Sequence, residues 1–168
     1  MSLAPVLARI DADLENATQR LLELLRIPSI STHPAFDTAC ETAADWLVDQ
    51  LRAIGAEAQK HQTPGKPMVM GSFTGYAHPD APHVLFYGHY DVQPADPLDL
   101  WYHDPFEPAV EQTAQGRVIR GRGSSDDKGQ LMTFVEACRA WKNEHGQVPC
   151  KISFFFEGEE ESLSLIHI

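Results

Sequence analysis

The chain has 168 residues, with 24 acidic side chains against 13 basic ones, a formal charge of −11 at pH 7 and 43% apolar residues. That apolar share suffices for a packed core, and the length suits one domain or a piece of a larger one. The acidic balance excludes a nucleic-acid surface, which needs clustered Lys and Arg, and no apolar run approaches the roughly 18 residues of a membrane span.

Val6, Ile10, Leu14, Leu21 and Leu25 recur at helical spacing and predict one helix, stopped by Pro28. A polar loop over 28–34 follows. A second helix is predicted from about Asp37, read as its cap, through Leu47 and Leu51 to Ile54, with Gly55 as terminator. The period then changes: 56–62 and 68–73 read as short strands around the turn Thr63-Pro64-Gly65-Lys66. A proline-rich loop spans 77–82. Residues 84–87, apolar without alternation, predict a strand covered on both faces. After a long turn-rich connection, 106–111 and 117–120 read as a hairpin closed around Gln115-Gly116. A third helix is predicted from about Asp127 to His145, and 152–156 as a second buried strand. Interleaved strands and helices favour an α/β fold with a mixed, largely parallel sheet flanked by helices.

Three polar clusters fall at the ends of these elements. Gly88-His89-Tyr90-Asp91 follows the apolar strand, so His89 and Asp91 share a face and Tyr90 points away. A metal-binding His commonly gives its second ring nitrogen to a carboxylate, and a plain structural hydrogen bond explains one His-x-Asp equally well. Gly121 to Gly129 lies between strand and helix and presents Asp126 or Asp127 near the helix start. The alternative there is a solvated loop with a capping Asp, and the spacing is not that of a phosphate loop. Glu157-Gly158-Glu159-Glu160-Glu161-Ser162 ends the Phe154-Phe155-Phe156 strand. An acidic run is ordinarily a solvent-facing loop, but ligands in open α/β sheets gather beyond strand carboxyl ends. Imidazole and carboxylates without thiolate suit zinc, manganese or cobalt in a catalytic site.

Tyr-Gly-His-Tyr-Asp-Val-Gln-Pro (87–94), Trp-Tyr-His-Asp-Pro-Phe-Glu-Pro (101–108), Arg-Gly-Arg-Gly-Ser-Ser-Asp-Asp-Lys-Gly-Gln (120–130) and Glu-Gly-Glu-Glu-Glu-Ser (157–162) resemble the M20 family of metallopeptidases. Arg-Ile-Pro-Ser-Ile-Ser (26–31) is similar to its N-terminal region, and Gln93 with 101–108 most resembles the carnosinase-like dipeptidases. The resemblance implies two divalent ions, zinc foremost with manganese or cobalt as alternatives, bound by His89, Asp126 and Glu161. It further implies that Asp91 orients His89, that Asp126 bridges the ions and precedes a cis peptide, and that Glu160 is the general base. Adjacent strand residues face opposite ways, so Glu160 and Glu161 reach one site only if the chain leaves strand geometry at Glu160. The implied reaction is amide hydrolysis of a dipeptide or short peptide. Removal of an N-acyl group from an amino acid is the alternative within the family, and a non-catalytic binding module the alternative outside it.

The family takes a further carboxylate and His from sequence after the Glu-Glu pair, and carries a lid domain that commonly forms a homodimer. Residues 1–162 are therefore expected to be the N-terminal part of a catalytic domain, inactive and weakly metal-binding alone. Residues 163–168 match one translation of a sequencing-library adapter and are expected to be a non-native tail, so His167 is not taken as a ligand. The N-terminus lacks the basic start and apolar block of a secretory signal. Cys40, Cys138 and Cys150 form no Cys-x-x-Cys pair, and a cytoplasmic location is expected.

Overall fold

The computed structural model describes residues 1–78 and 80–163. Of the expected tail only Leu163 falls among them; 164–168, with His167, lie outside the described residues. The elements in chain order are α1 (Leu3–Ala12), α2 (Leu14–Leu25), α3 (Asp37–Ala53), β1 (Glu57–His61), β2 (Met68–Ser72), β3 (Val84–His89), β4 (Ala109–Thr113), β5 (Gly116–Arg120), α4 (Lys128–His145) and β6 (Ile152–Glu157). Short 3₁₀ turns occupy Pro34–Phe36, Leu98–Leu100 and Glu160–Ser162.

The single N-terminal helix predicted from the Val6 to Leu25 stripe is two helices. Asp13 interrupts it with φ −102° and ψ 8°. Its side chain accepts from Asn16 Nδ2 at 2.6 Å and from Arg20 at 2.7 Å. A short carboxylate that bonds its neighbours competes with helical geometry, and apolar spacing alone does not register that competition. Arg20 also grips both oxygens of Glu136, at 2.8 and 2.6 Å, which clamps α2 onto α4. Asp37 is the first residue of α3 rather than its cap, and its carboxylate pairs with Lys66.

The sheet order is β1-β2-β6-β3, with β4-β5 a separate hairpin. The expected mixed sheet is present, but its parallel part is one pair, β3 with β6; β1-β2 and β2-β6 are antiparallel. One face carries Val69, Phe154 and Phe156, all buried against Leu47, Leu51, Leu131 and Val135 of α3 and α4. Phe86 of β3 stacks on Phe134 of α4 with ring centres 4.0 Å apart. Among the described residues no element covers the opposite face. Leu85 is 66% exposed, and Met70 and Tyr87 are exposed too. The prediction of a β3 covered on both faces is therefore corrected: among the described residues β3 is an edge strand with one open face. Its unbroken apolar run marks one buried face only, because Leu85 and Tyr87 are apolar without being buried.

The sheet brings the carboxyl ends of β3 and β6 together, with His89 opposite Glu157 in register. The loop before α4 reaches the same end and is held tightly. A Cβ at Gly129 would stand 2.0 Å from the Ser124 carbonyl oxygen, so only glycine permits this approach. Gly129→Ala is expected to cost about 3 kcal/mol through backbone displacement. Urea unfolding checks this, and an unchanged midpoint contradicts it.

Candidate metal centre

His89, the last residue of β3, is buried at the sheet's carboxyl end. The segment after it is pinned. Tyr90 turns into the core and donates its hydroxyl to the Pro67 carbonyl at 2.5 Å, while Ser29 Oγ donates to the Tyr90 carbonyl at 2.7 Å. Val92 N–H donates to the Ser29 carbonyl at 3.0 Å, and Ile30 bridges Val92. These bonds leave His89 and Asp91 on the side away from Tyr90, as the alternation predicts.

Asp91 is fully buried (0% exposed) and its two oxygens have separate partners. Oδ1 accepts the Glu160 N–H at 3.2 Å and Oδ2 the Glu161 N–H at 3.0 Å. Oδ1 also stands 3.3 Å from His89 Nδ1. His89 Nδ1 also lies 3.2 Å from the Asp91 main-chain carbonyl, so Asp91 fixes the imidazole through backbone and side chain and its carboxylate fixes the start of the Glu160–Ser162 turn. That turn is the departure from strand geometry expected at Glu160; β6 itself ends at Glu157.

The other ring nitrogen of His89 faces the open side. Nε2 lies 3.0 Å from Asp126 Oδ1 and 3.8 Å from Glu160 Oε2. The Asp126–Asp127 peptide is cis, as the resemblance implied. Asp126 is largely exposed (74% of its side chain) and Glu160 half-exposed, so solvent and a small ligand reach both. The structure therefore brings His89, Asp91, Asp126 and Glu160 together. Glu161 joins them through its backbone; its carboxylate accepts from Gln93 Nε2 at 3.1 Å, and the same amide donates to the Glu161 carbonyl at 2.8 Å.

Two residues beyond the predicted set help to shape the centre. Asp127 Oδ2 accepts the His89 backbone N–H at 3.0 Å, and burial raises its carboxyl pKa against that bond. Lys128 is fully buried and donates to the Leu24 and Ile27 carbonyls at 3.1 and 2.7 Å, tying the loop to the carboxyl end of α2. Burial pulls its ammonium down to about 7, opposed by the charge on Asp91. Both residues lie in the Asp-Asp-Lys-Gly run, but sequence does not say which neighbour each side chain meets.

The donor set is one imidazole nitrogen with carboxylate oxygens and no thiolate, which fits a borderline or hard divalent cation. A carboxylate behind the second ring nitrogen fits it too, because it fixes the tautomer and raises ligand basicity. Among the described residues no group of three or more His, Cys, Asp or Glu side chains converges into a ready-made cage. His89 Nε2 and Asp126 Oδ1 bond each other instead.

Residues 85–166 match the model of peptidase family M20/M25/M40. The chain belongs to this family. It is 34% identical to the Cys-Gly metallodipeptidase dug1 of Schizosaccharomyces pombe over 96% of this chain and 35% of that protein. The solved dipeptidase Dug1p of Saccharomyces cerevisiae superposes with a TM-score of 0.84 at 31% identity, over 96% of this chain and 35% of that one. Human carnosine dipeptidase 1 does so with a TM-score of 0.84 at 28% identity, over 98% and 36%. The M20 chain thus spans about 35% of the length of these relatives.

In the metal-free protein, burial lowers the His89 pKa but the bond and charge of Asp91, with Asp127 and Glu160, outweigh it and raise the value from 6.5 to about 9. A folded pKa above the unfolded one adds stability fully present below pH 6.5 and lost as pH rises through about 9. In EDTA, the Tm advantage of the wild-type chain over His89→Gln is expected to decline across that window. A difference independent of pH there contradicts the assignment.

Proposed function

We propose that this chain carries the proton-transfer and part of the metal-binding machinery of a dipeptidase that uses two divalent ions, zinc foremost. The observation that carries the reading is the meeting of His89 Nε2 with Asp126 and Glu160 in front of the buried Asp91 carboxylate. His89, Asp126 and Glu161 would hold the ions, with Asp126 shared between them. When bound, such ions polarise the scissile carbonyl and acidify water.

The side chains have distinct tasks in this reading. Asp91 holds His89 in one tautomer and one orientation. Glu160, half-exposed beside the imidazole, takes a proton from the attacking water and returns it to the leaving amine. Gln93 steadies Glu161. The substrate class is a short peptide, on the strength of the resemblance in 87–94 and 101–108 and of the relatives' dipeptidase names. A homodimer, which the family resemblance implies, belongs to the same reading. A reducing, cytoplasmic location agrees with the three free thiols of Cys40, Cys138 and Cys150.

Zinc titration calorimetry tests the division of roles. His89→Gln and Asp126→Asn are each expected to weaken uptake by about tenfold or more, while Glu160→Gln stays within about threefold, because Glu160 moves a proton rather than holding the ion. Equal losses in all three variants, or none in the first two, contradict the reading.

A further inference from the structure

Asp127 stands at the start of α4, where an aspartate ordinarily caps the helix, yet its side chain makes no capping bond. It reaches across to β3 instead. The Tyr90 N–H bonds the Glu157 carbonyl at 2.9 Å, on the β6 side. Neighbouring N–H groups along a strand point to opposite sides, so the His89 N–H points to the open edge of β3. Among the described residues no strand lies there. Asp127 Oδ2 supplies the acceptor, at 3.0 Å. Gly88 eases the approach, because a Cβ at that position would stand 3.0 Å from the same oxygen and press it aside by a few tenths of an ångström.

The other end of Asp127 is fixed as well. Its carbonyl accepts the Leu131 N–H at 2.8 Å in the first turn of α4, and its nitrogen is joined to Asp126. The residue therefore spans the two elements that supply His89 and Asp126. A side chain bonded to the backbone of one and covalently joined to the other limits their relative movement.

We propose that Asp127 is a positioning residue that sets the 3.0 Å approach of His89 Nε2 to Asp126 Oδ1, and with it the spacing of two groups that would hold the cation. The part concerning the cation rests on the metal-site reading above. The working feature is the acceptor oxygen, not the charge.

Asp127→Ala and Asp127→Asn in the 168-residue chain separate the possibilities, with far-ultraviolet circular dichroism confirming the fold. In the metal-free protein, Asp127→Ala is expected to shift and broaden the ¹H–¹³C signals of the His89 ring. Asp127→Asn, which keeps an acceptor oxygen, leaves them in place. In a Co²⁺ titration, Asp127→Ala weakens uptake by about tenfold or more, the range typical of groups behind a metal ligand, and Asp127→Asn by no more than about threefold. Unmoved ring signals in Asp127→Ala overturn the proposal. So does an Asn variant as impaired as the Ala one, which marks a purely electrostatic role. If the wild-type chain takes up no Co²⁺, the metal-site reading fails and the ring signals alone decide the positioning role. Should Asp127→Ala not fold, Asp127→Ser, polar but too short to reach the His89 N–H, carries the same expectations.

Discussion

A carboxylate with no exposure to water is costly unless it is hydrogen-bonded, and Asp91 meets that condition by joining the end of β3 to the Glu160–Ser162 turn through both its oxygens. Its oxygens accept from Glu160 and Glu161 and face His89 Nδ1. The turn that carries two of the expected functional carboxylates is therefore organised by a third, from the segment that follows β3. The parallel pairing of β3 with β6 makes this possible, because it ends both strands on the same side of the molecule. The core beneath the pair, from Phe154 and Phe156 to Leu131, holds that end in place.

The electrostatics follow from the same arrangement. Asp91, Asp126, Asp127 and Glu160 crowd one strand end in a protein of net charge −11. Like charges gathered this closely repel one another unless a positive charge intervenes. In the metal-free protein the His89 imidazole meets part of that need, which is why its pKa rises despite burial. In the proposed reading a divalent cation would meet it more fully.

Much of this was legible in the sequence where local chemistry decides the outcome. The turn at Thr63 to Lys66, the strand read over 84–87, which runs on to His89, and the helix read from about Asp127, which starts at Lys128, each rest on short-range signals. The cis Asp126–Asp127 bond came from the family motif alone. What escaped depends on contacts distant in sequence. The break at Asp13 is reinforced by Arg20 and through it by Glu136, more than a hundred residues away. The open face of β3 was invisible because Val84 to Tyr87 is equally apolar whether or not another layer covers it. Asp127 reads as a helix cap until its oxygen is seen on the His89 amide.

The buried Asp91 carboxylate builds the centre by holding the Glu160–Ser162 turn to His89. Amide hydrogen exchange on the wild-type chain and Asp91→Ala checks this. The Glu160 and Glu161 amides are expected to be protected in the wild type and to exchange freely in the variant, while the Phe154 and Phe156 amides of β6 keep their protection. Unchanged protection of Glu160 and Glu161 in Asp91→Ala would contradict it.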